Sequence, residues 1–314
     1  MDNKFGYQIV HHADAAIWES RIIAPDMEIA SYTKEYNLRH YHLTAQPVLH
    51  NILTNLSIDA LGYNGVTPGP LIIMKQGEWI YLTLENRLDE PTGLSIHGLA
   101  IPNLLNNTLH MNQRFRLVKP GESYTYKFLC WQSGTYFYQS SQDFQVSMGM
   151  MGAFIVLPKD QDIKDGMIPD QDYILLMQQW DIPQPQMGDI YPGVYKPDKF
   201  HRHPNYFTIN GKCFPNTSPL YFRYGNKIRI RFVTKAGENQ YMHFHGHNFM
   251  IANVNGFSRS DFMDDTIDLA SGRRTDIDLI ADNPGTWTLI GTKTFQQSNN
   301  GVAPGGLITK ILYI

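Results

Sequence analysis

Ile228-Arg229-Ile230-Arg231-Phe232-Val233 alternates, with the isoleucines and the phenylalanine on one side and the arginines on the other. A period of two is the signature of a strand whose two faces meet different surroundings. The same β-branched and aromatic texture recurs on both sides of this stretch. It appears at Leu71–Ile73, Trp79–Leu84, Tyr124–Leu129, Thr135–Tyr138 and Phe154–Leu157, and again at Tyr206–Ile209, Lys227–Val233, Phe249–Val254, Thr286–Ile290 and Leu307–Ile314. Glycine (25) and proline (18) punctuate the runs at short intervals. No long stretch carries a 3.6-residue apolar period, and Asp14–Arg21 is the one candidate for a short helix. Many short strands with turn signals between them predict an all-β chain of sandwiches or barrels.

The chain has 314 residues, enough for two domains at roughly 150 residues each. The best boundary is the polar stretch Pro158–Asp172, which has proline near each end and carries five aspartates. It predicts a linker at about 158–172 between an N-terminal domain, 1–160, whose residues 1–38 form an extension, and a C-terminal domain, 161–314. The two halves echo one another. Tyr63-Asn-Gly and Tyr206-Phe-Thr-Ile-Asn-Gly each lead to a histidine motif, and each half reaches a Gly-Thr-aromatic strand, at Gly134-Thr-Tyr and Gly285-Thr-Trp. Two copies of one domain is the economical reading.

The bulk numbers exclude several functions. A net charge of −3 gives no basic field for nucleic acid or an anionic membrane. The longest apolar runs fall far short of the ~20 residues a membrane helix needs. Met1–Ala16 is polar, with no apolar core of a secretory signal, so the expected compartment is the cytoplasm, a processed secreted form being the alternative. Two cysteines, Cys130 and Cys213, exclude a disulfide framework and leave room for one bridge at most. Asn55-Leu-Ser and Asn106-Asn-Thr match the glycosylation pattern and are read as chance.

An ordered series of motifs resembles the multicopper oxidases, in particular the two-domain laccases and the copper nitrite reductases. The series runs Tyr63-Asn-Gly-Val-Thr-Pro-Gly-Pro, Lys119-Pro-Gly-Glu-Ser-Tyr-Thr-Tyr, Gly134-Thr-Tyr-Phe-Tyr, Met148-Gly-Met-Met-Gly-Ala-Phe-Ile-Val, Asn205-Tyr-Phe-Thr-Ile-Asn-Gly-Lys, Met242-His-Phe-His-Gly-His, Asp265-Thr and Asp282-Asn-Pro-Gly-Thr-Trp. It spans roughly residues 40–314. The resemblance implies two cupredoxin-like Greek-key β-sandwich domains. It also implies two kinds of copper site: a three-copper cluster on four His-x-His-like motifs, and a separate electron-transfer (type 1) copper on His, Cys and His with a long axial Met. A His-x-His pair on a strand turns both imidazoles to one face, which suits metal binding.

Most ligands implied by the resemblance are replaced. The first motif reads Ser95-Ile-His97-Gly98, and the second Gln139-Ser140-Ser141, where nitrite reductases carry His-Cys at the first two positions. The third reads Gln240-Tyr-Met-His243-Phe-His245-Gly-His247, with Gln240 in place of the electron-transfer histidine, and the last reads Ile290-Gly291-Thr292. No type 1 copper is therefore expected, nor the four-electron chemistry of a laccase. His97, His243 and His245 remain as candidate ligands for one copper or zinc ion. His247 is a supporting residue, and Gln139, Ser140, Ser141, Gln240 and Thr292 would line the former copper cavity with polar groups.

Weaker candidates are read as structural: His40-Tyr-His42 as a surface pair, His201-Arg-His203 as solvated loop residues, Met148, Met150 and Met151 as core, and Asp264-Asp265 as a turn. Three functions follow: a mononuclear metal-dependent oxidoreductase or hydrolase, a metal-free structural or assembly protein, and a small-ligand binder. The resemblance further implies a homotrimer with a site between subunits, the three histidines converging across a domain or subunit boundary.

Overall fold

The computed structural model describes residues 15–101, 116–200, 202–235, 237–259 and 263–314. Two cupredoxin-like Greek-key β-sandwiches account for them, and every strand expected from the alternating runs is present. The first sandwich has a sheet ordered Gly193–Tyr195, Leu56–Tyr63, Leu38–Leu53, Trp79–Asn86, Ser123–Leu129, with Tyr32–Glu35 beside Leu38–Leu53. Its second sheet is ordered Gly69–Lys75, Met151–Leu157, Gly134–Ser140, Leu94–His97. Tyr41, Leu43, Ile72, Leu82, Tyr138 and Phe154 fill the space between them.

In the second sandwich one sheet is ordered Ile22–Ile23, Gln171–Trp180, Lys227–Thr234, Arg274–Ile280, Phe249–Val254, Phe257–Ser258. The other is ordered Leu220–Phe222, Ile308–Tyr313, Thr286–Gly291, Gln240–Phe244, Thr266–Leu269. Ile228, Ile230 and Phe232 point into the core between these sheets, as the alternation requires.

The two sandwiches meet sheet to sheet. Ile73, Phe137, Met151, Ala153 and Ile155 from the first pack against Ile174, Leu176 and Val233 from the second. This explains why Met151–Leu157 is buried along its whole length: the strand has a core on each face, so it reads as a continuous apolar run instead of alternating. It also explains the arginines of the opening stretch. Their face is the one covered by the first sandwich, so Arg229 and Arg231 are 6% and 3% exposed.

Buried cations need partners. Arg231 makes two 2.8 Å bonds to Asp172, and its Nη1 donates to Thr135 Oγ1 at 2.9 Å. Asp172, the last aspartate of the polar stretch, is fully buried and also accepts from Trp18 Nε1 at 2.6 Å. Trp18 lies on the short helix Ala15–Glu19, which falls inside the expected helical stretch. The chain ends of the sandwiches are exchanged: Ile22–Ile23 pairs with Gln171–Trp180 of the second, and Gly193–Tyr195 with Leu56–Tyr63 of the first.

Candidate metal centre

The strand Gln240–Phe244 alternates, burying Gln240, Met242 and Phe244 and turning Tyr241 and His243 outward. His245 follows on the same outer face and is exposed, its ring centroid 4.8 Å from that of His243. His243 Nδ1 lies 3.0 Å from the Asp265 carbonyl oxygen and 3.0 Å from Thr266 Oγ1. A carbonyl only accepts, so it fixes the ring proton on Nδ1 and leaves the Nε2 lone pair free. An imidazole held through its other nitrogen in this way is oriented for metal ligation.

His247 differs. Its Nδ1 donates to the His245 carbonyl at 3.0 Å, and its Nε2 accepts from the Tyr313 hydroxyl at 2.7 Å. Both nitrogens are engaged, and the ring stacks on Tyr313. Gln240 is fully buried and accepts from Thr234 Oγ1 at 3.0 Å, while its Nε2 has no partner. Gln296, which the sequence reading did not single out, is equally buried, with an unpartnered Oε1 and its Nε2 3.5 Å from the Asn239 carbonyl. It lies on the short 3-10 turn Thr294–Gln297, and no local sequence signal marks it. Thr292 itself is exposed, its backbone N–H donating to Tyr241.

The first sandwich treats its histidine differently. His97 ends the strand Leu94–His97 opposite Phe137, and the two rings stack at 4.7 Å. Next to it, Gly98 has φ +88°, and a Cβ there would sit 2.1 Å from Arg274 Nη2. The buried guanidinium of Arg274 donates to the Gly272 carbonyl at 2.9 Å and reaches the Thr135 carbonyl at 3.4 Å. Burial first, then the charges of Arg274 and Lys235, hold the pKa of the His97 imidazole below its ordinary value.

Gln139 Oε1 and Ser141 Oγ are buried without partners. Ser140, at the position of the nitrite reductases' cysteine, belongs to a closed neutral set: its Oγ and Thr92 Oγ1 both donate to Gln145 Oε1, at 2.6 and 2.7 Å. Gln145 Nε2 in turn donates to the Pro91 carbonyl.

Among the described residues no group of three or more His, Cys, Asp or Glu side chains gathers as a metal site. His243 and His245 stand together, and His97 lies on another sheet, against the junction of the sandwiches. Cys130 and Cys213 are free and buried, and burial pushes both thiols far up.

The weaker candidates are placed as follows. His42 is exposed and His40 packs edge-on to Tyr81. Met148, Met150 and Met151 are core. Asp264 Oδ1 caps the backbone N–H groups of Asp265 and Thr266 in a turn. His203 is exposed, and His201 and Asn106 lie outside the described residues. No helix among the described residues is long and apolar enough to cross a membrane.

Sequence profiles described as multicopper oxidase match residues 45–161 and 184–290. The chain is 31% identical to copper resistance protein A of Pseudomonas syringae pv. tomato over 121 residues, covering 38% of this chain and 19% of that protein. It is 26% identical to laccase-7 of Oryza sativa subsp. japonica over 248 residues, covering 76% of this chain and 43% of that one. The matched part is thus less than half the length of either relative. Among solved structures, the blue copper oxidase of Nitrosomonas europaea superposes with a TM-score of 0.75 at 27% identity, covering 88% of this chain and 86% of that one.

Proposed function

Because this chain belongs to the multicopper oxidase family, we propose that it is a divergent member that has lost the electron-transfer (type 1) copper. In this reading it holds at most one metal ion, copper or zinc, on His243 and His245. The observation that carries the proposal is the pinned ring of His243: the Asp265 carbonyl and Thr266 hold Nδ1 at 3.0 Å, leaving Nε2 free, and the His245 ring stands 4.8 Å away, centroid to centroid. The donor set fits a borderline ion such as copper or zinc, for which neutral imidazoles are ordinary ligands.

A type 1 copper does not fit. It needs a thiolate, and the positions that resemblance assigns to it hold Ser140 or Gly291, with Gln240 in place of a histidine. The buried donor and acceptor sets around Ser140 and Gln240 are uncharged. A third ligand, His97, would come from a second copy of the chain. A closed ring such as a homotrimer, built from head-to-tail contacts, would bring it to the His243–His245 pair.

A metal held there would act as a Lewis acid or a one-electron centre, the basis of a mononuclear oxidoreductase or hydrolase. The chain's own residues would orient the ligands: Asp265 and Thr266 fix the His243 tautomer, and Tyr313 locks His247 behind the loop that carries His245.

The test is elemental analysis of protein purified with copper or zinc present. About one metal per chain, lost in His243→Ala and without an intense thiolate-to-copper absorption, is the expected result. Metal-free wild-type protein overturns the reading. The closed set of Thr92, Ser140 and Gln145 favours a second reading, a metal-free scaffold, for which a chelator leaves the Tm unchanged.

A further inference from the structure

A cavity of about 350 Å³ opens where the two sandwiches part, beyond the end of their shared apolar layer. Its walls include Asp143 and Met151 from the first sandwich, and Gln178, Trp180, Phe200 and Lys235 from the second half. The strand Gln171–Trp180 explains its chemistry. On the face toward the first sandwich it presents Ile174, Leu176, Gln178 and Trp180 in turn. An amide therefore stands where the alternation calls for an apolar side chain. Gln178 is 5% exposed and its Oε1 has no hydrogen-bond partner. A buried acceptor left unmet is costly, and native proteins rarely keep one without a use.

Charge supplies the second observation. Asp143 is exposed on one wall and Lys235 is half-buried on the other. Neither has an ion-pair partner among the described residues, although they carry opposite signs and line one cavity. They lie beyond the 4.0 Å reach of a salt bridge to each other, so something placed between them can meet both. Phe200 adds an exposed apolar surface at the same place, with the buried Met151 and Trp180 behind it. The volume is at the small end of the roughly 300–1,000 Å³ typical of small-molecule sites.

We propose that this cavity is a binding site for a zwitterion, a free α-amino acid with an apolar side chain. Its ammonium meets Asp143 and the Gln178 amide oxygen, its carboxylate meets Lys235, and its side chain lies on Phe200. The two charges select against either half of the ligand alone, because each half leaves one protein charge unmatched. The site needs no metal and uses none of the candidate ligand histidines.

Calorimetry with the full chain tests this with L-phenylalanine, 3-phenylpropionate, which lacks the ammonium, and phenethylamine, which lacks the carboxylate. L-phenylalanine binds saturably and each half-ligand binds at least roughly tenfold more weakly, since each forfeits a charge-assisted contact. Lys235→Met weakens L-phenylalanine by a similar factor and does not weaken phenethylamine. Asp143→Asn, at an exposed position without an ion-pair partner, weakens L-phenylalanine and does not weaken 3-phenylpropionate. Failure of L-phenylalanine to bind, equal binding of the three compounds, or indifference of L-phenylalanine to both substitutions overturns the proposal.

Discussion

Ser95-Ile-His97-Gly98 and His243-Phe-His245-Gly246 hold the same place in the two sandwiches: each sits on or at the end of a strand that pairs with the Gly-Thr-aromatic strand of its half. Their fates diverge because only one of the two faces is covered. The sheet carrying His97 packs against the second sandwich, so its ring, stacked on its cross-strand neighbour Phe137, also meets the charges of Arg274 and Lys235. The sheet carrying His243 turns its outer face away from that junction, and its histidines stay accessible. A shared motif therefore does not make a shared site. What the opposite layer brings to the motif decides whether an imidazole stays accessible or packs beside a cation.

The largest expected effect breaks the junction that creates this difference. Arg231 bonds Asp172 twice and Thr135 once and reaches Asp276 at 3.4 Å, all out of water, so removing it leaves two buried carboxylates without this cation. Arg231→Leu should lower unfolding stability by about 3–5 kcal/mol in a denaturant titration. The control is Arg273→Leu, whose 3.0 Å pair with Asp268 is 28% and 46% exposed and solvent-screened. That change should cost less than about 1 kcal/mol. Equal losses for the two would mean the junction network does not hold the sandwiches together.

A smaller effect sharpens the comparison at His97 itself. Gly98 combines φ +88° with the closest approach of Arg274, whose Nη2 would lie 2.1 Å from an added Cβ. Arg274 is 4% exposed and tied to Gly272, so it has little room to swing away. Gly98→Ala should cost about 1–3 kcal/mol through overpacking and backbone strain, measured as a fall in the denaturation midpoint at constant m.

How far the sequence carried these conclusions depends on the range of the interactions. Period-two runs such as Ile228–Val233 specify strands locally, because the pleat itself sorts apolar from polar side chains, and those elements are all present. The motif order carried the fold, since it spans both halves. What alternation cannot tell is the identity of the surroundings on the second face. Arg229 and Arg231 look like a solvated face and are buried against another layer. Asp172 sits at the end of a polar stretch and is fully buried in a strand. Gln178 interrupts an apolar strand with an amide whose meaning appears only with the cavity around it. Each depends on contacts with residues far away in sequence, which no local pattern encodes.

The smallest expected effect concerns pH and contrasts a junction histidine with the exposed pair. His50 Nε2 lies 2.7 Å from the Gly211 carbonyl, joining the first sandwich to a loop of the second. Burial holds its pKa below the ordinary value, with the nearby Lys212 charge acting in the same direction and the Gly211 carbonyl against it. The native ring thus resists a proton that the unfolded chain accepts. The unfolded state binds more protons as pH falls below the ordinary histidine value of about 6.5, so stability is full above that pH and declines as pH falls toward the lowered native pKa. Below the native value both states are protonated and the decline from this group stops. One group contributes a slope of at most about 1.4 kcal/mol per pH unit. His50→Gln keeps a donor for Gly211 and cannot titrate, so its stability should fall less between pH 7.5 and 5 than that of the wild type. Identical pH slopes for the two proteins would show that the junction does not sense protons through His50.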